Sequence, residues 1–313
     1  MTIYFQGFNF PFMNDIGKYS QAARIWALRE YGEAGPRIFR ALLARFLNTE
    51  AIHDAEISEL ETIEGLGAKR SVKIFESSQH LDEAEAFINS LESKNTRYST
   101  TFDPDHPAML EELNDPPPII FYRGTLPAQG EKTVAMVGSH KATAEGVTYA
   151  VDLGVLFAKK SVSVVSGLAR GIDVSAHIGA LRGGGRTYAV LGSGVNKIFP
   201  EEHSEISEEI TKHGALISEY PPDSGVSTGR LMARNRLIVG LSQAVVICEV
   251  MPDSSGTIDA ATFCHQLGKI MFILLDGCDA PGRDNSGVEK IVKMGAIPIF
   301  LKDGVDLILK SLV

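Results

Sequence analysis

Cysteine is scarce in this chain, with only Cys248, Cys264 and Cys278 and no CxxC spacing. So sparse a set argues against a zinc site and fits a reducing cytoplasm. No apolar run approaches the ~18–20 residues that span a bilayer, so no membrane partner is expected. No basic segment followed by an apolar core marks a secretion signal, and the expected location is cytoplasmic. Positive charge is in deficit, 30 Lys and Arg against 39 Asp and Glu, for a formal net charge of −9. A nucleic-acid partner would therefore need a local basic patch on an acidic body. HExxH, GxSxG and GxxxxGK[ST] are all missing, so no convincing catalytic constellation is legible. Tandem repeats and low-complexity tracts are absent too.

What is present fits an ordinary globular protein of about two domains: 313 residues, 44% hydrophobic and 22% charged. Residues 1–97 carry apolar positions at helical spacing, clearest in "QAARIWALREYGEAGPRIFRALLARFL". Residues 98–130 hold "FDPDHPAMLEELNDPPPIIFYRG", where the triple proline Pro116 to Pro118 stops helices and marks a linker or edge segment. Over residues 131–313 the apolar runs "TVAMVG", "VSVVSG", "TYAVLG", "ALISEY", "AVVICEV", "KIMFILL" and "AIPIF" alternate with helical stretches. Strands this apolar on both faces predict a mostly parallel, Rossmann-like α/β sheet sandwiched by helices, ending in a short terminal helix.

Several of these strands end in similar chemistry. The first closes in Gly138-Ser139-His140, the second in the turn from Ser166 to Asp173, and the third in "GSGVNK" from Gly192 to Lys197. In a parallel sheet such ends share one rim, and ligands of doubly wound folds bind outside it. Glycine admits a close backbone approach, and the next helix offers free N–H groups to an anion. The dinucleotide pattern GxGxxG fails, because Lys197 stands at its third glycine. Mononucleotides and nucleic-acid phosphates both remain open. Ser254, Ser255, Gly256 and Thr257 form a further anion-type turn, and Asp259 sits in the first turn of the helix that follows. Arg230 and Arg234, four apart, share one helical face, which a solvated helix with paired arginines would also explain. His177 falls one turn after Asp173 and could bond to it, and Glu219 could turn a carboxylate toward the rim.

In their order and spacing, "VGSHKAT", "VVSGLARGIDVSAHIGAL", "AVLGSGVNKIFP", "GALISEYPP", "RNRLIVGLS" and "SSGTIDAA" resemble the successive motifs of the DprA/Smf family across roughly residues 100–300. The resemblance implies an extended Rossmann fold, usually dimeric, that binds single-stranded DNA and loads the RecA recombinase during natural transformation. By position, Gly167, Arg170, Gly171 and Asp173 fall in the family's DNA-pocket motif, with Lys197 and Arg236 as further basic residues. Gly138, Ser139, His140, Lys141, Ser166, Gly192, Arg234, Asn235, Ser255, Gly256 and Thr257 complete the candidate phosphate-binding set. No catalytic residue, metal or cofactor is assigned. In the N-terminal region "LETIEGLGAKRSVKIF" reads as a helix-hairpin-helix, with Gly65, Gly67, Lys69 and Arg70 as an auxiliary DNA contact.

Departures from the family pattern mark a divergent member. His140 stands where arginine is common, which removes a fixed charge and would make affinity weaker or pH-dependent. Glu145 replaces a common tyrosine, and the winged-helix tail of many members does not appear. A nucleotide- or DNA-sensing role in phage defence, or beside a toxin, is the alternative, with a cognate toxin or defence protein in place of RecA. Less favoured is a phosphoribohydrolase of the related LOG-type fold. Its PGGxGTxxE pattern is echoed at Gly256-Thr257, but its acid position holds Ala260.

Overall fold

The computed structural model describes residues 18–278 and 284–312, and the chain divides into two compact units, 1–92 and 93–313. The first unit is helical: α1 (Gln21–Glu30), α2 (Pro36–Phe46), α3 (Thr49–His53), α4 (Ile57–Leu60), α5 (Ala68–Glu76) and α6 (Leu81–Ser90). α1 is buried along most of its length, from Ala22 to Leu28, as expected of a helix surrounded by its neighbours. Trp26 stacks on Phe87 of α6 with ring centroids 4.5 Å apart. Even Arg24 is buried on α1, and it donates to Tyr19 O at 2.8 Å and to Glu50 at 2.9 Å.

The second unit runs β1 (Arg97–Thr100), β2 (Ile119–Gly124), β3 (Thr133–Gly138), α7 (Ala144–Lys159), β4 (Ser163–Ser166), α8 (Ile172–Arg182), β5 (Thr187–Val190), α9 (Ser204–His213) and β6 (Gly214–Ser218). It continues through α10 (Thr228–Ala233), α11 (Asn235–Gly240), β7 (Ala244–Glu249), α12 (Ser255–Gln266), β8 (Ile270–Leu274), α13 (Ser286–Lys293), β9 (Ile297–Ile299) and α14 (Leu301–Ser311). One nine-stranded sheet results, in the order β1-β2-β6-β5-β4-β3-β7-β8-β9. The run from β6 to β9 is parallel throughout. These strands coincide with the apolar runs of the sequence, as the doubly wound expectation requires. β1 and β2 add antiparallel pairs at one edge. Of the two readings of segment 98–130, linker or edge, the sheet shows the edge: it supplies β2 and most of β1. Its prolines Pro116 to Pro118 lie just before β2, outside the paired residues, where a missing N–H interrupts no ladder bond.

Alternate residues of each strand feed opposite layers. Ala135, Val137, Val245 and Ile247 join Leu237, Ile238, Ala260 and Ile291 from α11, α12 and α13. Val134, Met136, Ala244 and Val246 join Leu153, Phe157, Ala176 and Ile308 from α7, α8 and α14. The chain winds outward from β3 through β4, β5 and β6, then crosses back to β7 on the other side of β3. That crossover leaves a crevice at the C-terminal strand ends, where doubly wound sheets take their ligands. Among the described residues no helix is long and apolar enough to cross a membrane.

A lysine closes the layer beneath α11. The Lys269 ammonium donates to the carbonyls of Val239, Gly240 and Ser242 at 3.0, 2.9 and 2.8 Å, with Glu112 at 3.8 Å. It satisfies orphan carbonyls where α11 ends and faces the negative end of its dipole. Burial pulls its pKa below the usual lysine range. Lys269→Met keeps much of the side-chain volume but strands those carbonyls. It should lower unfolding stability by about 2–3 kcal/mol, read as a reduced urea midpoint at unchanged slope.

Candidate functional site

The crevice is a cavity of about 360 Å³ lined from three strand ends and from the α10–α11 segment. β3 contributes Val137, Gly138 and His140; the turn after β4 contributes Gly167, Arg170 and Asp173; the turn after β7 contributes Ser254 to Thr257. Arg234, Asn235 and Ile238 line it from α11 and its approach, with exposed Phe199 and buried Pro200 also in the lining.

The crowding of the β4 turn has a physical cause. Asp173 is buried in the first turn of α8 and accepts from the Gly167 N–H at 3.1 Å. Arg234, also buried, donates through Nη1 to the carbonyls of Gly167 and Val190, both at 2.5 Å, while its Nη2 stands 3.8 Å from Asp173. Burial pushes the Asp173 carboxyl up and Arg234 pulls it back. A Cβ at Gly167 would overlap the Arg234 guanidinium, and one at Gly171 would collide with Ser139 O, at a backbone φ of +71°. Each glycine thus admits a contact that no side chain permits.

The candidate residues divide into three groups. His140, Arg170 and Ser255 are exposed on the cavity wall, with Gly138 and Gly256 beside them. Gly167, Asp173, Arg234, Asn235 and Thr257 also line it but are buried. Asn235 is committed within the chain, donating to Asp259 at 2.9 Å and to Gly256 O at 3.3 Å. The rest stand off the cavity. Ser139 and Ser166 are buried, and the Ser166 hydroxyl ties β4 to Met136 O at 2.6 Å. Lys141 is exposed outside the lining. The Gly192–Lys197 turn serves packing: Gly194 N–H donates to Ser224 O and Asn196 N–H to Pro222 O, each at 2.9 Å. Lys197 is exposed away from the wall. Arg236 is buried in ion pairs with Glu219 and, at 3.4 Å, with Asp115. Glu219 therefore faces Arg236 and not the rim.

Other expected pairings resolve differently. Arg230 and Arg234 lie one helical turn apart, the Arg234 N–H on Arg230 O at 3.0 Å, but their side chains part: Arg234 turns inward to Gly167 and Val190, and Arg230 lies over the Tyr220 ring, 4.7 Å from its centroid. His177 turns from Asp173 to Thr187, with Nδ1 at 2.7 Å from Oγ1. Thr187 spends its own proton on Val164 O at 2.9 Å, so the Nδ1–H is the donor. Arg170 is exposed, but its fork is occupied: Nε and Nη2 donate to the two Glu202 oxygens at 2.6 and 2.8 Å. Glu202 carried no motif signal in the sequence, and Phe199, about half exposed, lies in the motif "AVLGSGVNKIFP" but was not singled out. An aromatic beside "GSGVNKI" was the one available hint.

The auxiliary residues form a separate cleft in the N-terminal unit. Gly67, Lys69 and Arg70 line it with Leu66, Ala68, Lys73 and Glu33, while Gly65 stays outside. Lys73 is paired with Glu33, and the hairpin's first helix is the single turn α4.

A doubly wound, mostly parallel sheet with glycine-rich turns at its crossover defines a Rossmann-like α/β protein. Residues 97–310 match the family described as DNA recombination-mediator protein A, and the chain belongs to that family. It is 34% identical to Protein Smf of Synechocystis sp. over 266 residues, covering 84% of this chain and 66% of that protein. It is 31% identical to DNA processing protein DprA of Bacillus subtilis over 197 residues, 62% of this chain and 65% of that one. The chain thus spans just under two thirds of the length of both relatives. The structure of DprA from Streptococcus pneumoniae aligns with a TM-score of 0.75 at 23% identity, covering 91% of this chain and 97% of that one. DprA from Helicobacter pylori, solved for its mode of single-stranded DNA binding, aligns at 0.60 and 26% identity over 69% of this chain and 97% of that one.

His177 allows a test of the site's foundation. Burial lowers its pKa from 6.5 to about 3, so the folded state holds it neutral while the unfolded chain takes up a proton below 6.5. Its contribution is complete above pH 6.5 and is lost as pH falls toward 3. Between pH 7 and pH 5 it should remove about 2 kcal/mol of stability, and His177→Gln should flatten that part of the pH–stability curve.

Proposed function

We propose that the chain binds single-stranded DNA at the crossover cavity and acts as a recombination mediator, a dimer delivering the strand to a RecA-type recombinase without turnover. One observation carries this reading: an exposed guanidinium, an exposed aromatic face and helix N-termini meet at one cavity in a member of this family. Arg170 supplies a planar donor fork for phosphate oxygens. Phe199 offers a ring on which a base can stack regardless of sequence. Single-stranded DNA binding in the Helicobacter pylori relative supports the same assignment. Absence of turnover is supported by Ala260, whose methyl lines the cavity at the position where the phosphoribohydrolase pattern places its acid.

The Arg170–Glu202 pair makes the reading quantitative. A carboxylate already occupies the fork that a phosphate would use, so DNA must displace it. Exposed ion pairs are weak and screened by salt, so the displacement is achievable. In fluorescence anisotropy with a labelled dT oligonucleotide of about 20 residues, affinity should fall with salt at about −0.7 in log–log slope per phosphate contacted. Arg170→Ala should weaken binding by about tenfold or more, and a folded mutant of unchanged affinity would remove Arg170 from the interface. Glu202→Gln should tighten binding by up to about fivefold at low salt, with the gain vanishing as salt rises.

A further inference from the structure

α7, α8 and α12 all begin at the strand-end rim, and unpaired N–H groups at such ends favour an anion. Two are already served from within the chain. At α7 the buried Glu249 carboxylate accepts from the Thr143 N–H at 2.9 Å and from its hydroxyl at 2.8 Å. At α8 the Asp173 carboxylate sits within the first turn, held by Gly167 and Arg234. α12 has no side-chain cap, and no carboxylate among the described residues accepts from its first N–H groups.

Further observations at α12 mark a place suited to an anion. Thr257 lines the cavity at 4% exposure, and its hydroxyl has no hydrogen-bond partner among the described residues. Thr257 is the third residue of α12, so no full helical turn precedes it to take its hydroxyl. A Cβ at Gly256 would meet nothing within 4 Å, so the backbone there faces open space. Val137, Ile238 and Ala260, all buried, give the cavity an apolar side. The volume of about 360 Å³ falls in the range of small-ligand sites.

We propose that the cavity seats a nucleotide bearing a terminal phosphomonoester, at a DNA strand end or free, with that phosphate on the α12 N-terminus. The Gly256 and Thr257 N–H groups and the Thr257 and Ser255 hydroxyls donate to it, and the sugar and base lie against Val137 and Ile238. A phosphomonoester brings nearly two charges and three acceptor oxygens, whereas an internal diester has one charge and two free oxygens. This rests on the DNA-binding reading and narrows it from any phosphate to a terminal one.

The test compares internally labelled dT oligonucleotides of about 20 residues with 5′-hydroxyl, 5′-phosphate and 3′-phosphate ends, and adds dTMP as competitor. A terminal phosphate should tighten binding at least about fivefold, with the responsive end giving the strand polarity. Thr257→Val, nearly isosteric, should bring that ratio close to one. So should Gly256→Asp, which sets a carboxylate in the anion position; melting temperatures verify that both variants fold. Competition by dTMP without an end effect assigns the same site to a free nucleotide. Equal binding of all oligonucleotides with no dTMP competition overturns the proposal and leaves DNA binding standing. Loss of all oligonucleotide binding instead removes the DNA reading, and a dTMP-induced rise in melting temperature then decides for or against the phosphate site.

Discussion

The buried guanidinium of Arg234 holds the strand-end rim together. Its Nη1 bonds the carbonyls of Gly167 and Val190, where β4 and β5 end, and its Nη2 faces Asp173 of α8. A buried charge needs both a counter-charge and hydrogen bonds to be tolerated, and this one has them. The β4 turn is shaped around it, because Gly167 has no room for a side chain beside the guanidinium. Arg234 is thereby removed from the roster of mobile phosphate-binding cations and becomes part of the frame that places the others.

Negative charge is distributed over the rim in the same spirit. Glu249 fills the anion position at α7, Asp173 that at α8, and Glu202 the fork of Arg170. The donors at these positions are thus satisfied from within an acidic chain, without a basic global field. The strength of each internal pair depends on its surroundings. Glu249 and Asp173 are buried and permanent parts of the fold, whereas Glu202 is exposed and open to exchange.

Most of the sheet was legible because each parallel strand is a continuous apolar run bounded by a glycine turn, a signal that survives without knowledge of neighbours. β1 and β2 were not. "RYST" is four residues with no apolar pattern, and the prolines before β2 speak for a break, although an edge strand tolerates them at its margin. The glycine turns were legible as turns, but two purposes share one composition. After β4 the glycines make room for Arg234 and the Ser139 backbone, and after β5 Gly194 makes room for the 221–224 segment. Only the first of these turns lines the cavity.

The sequence by itself determined the kind and order of most elements, the doubly wound class, the family and the rim as the place of the candidate site. These depend on patterns within a few residues, where periodicity and turn chemistry act. The tertiary structure alone decided which charges face a ligand and which hold the wall. Arg234 meets Gly167 across 67 residues and Arg170 meets Glu202 across 32, while Arg236 turns to Asp115 and Glu219. A guanidinium's role is set by its burial and its partners, and long-range packing settles both.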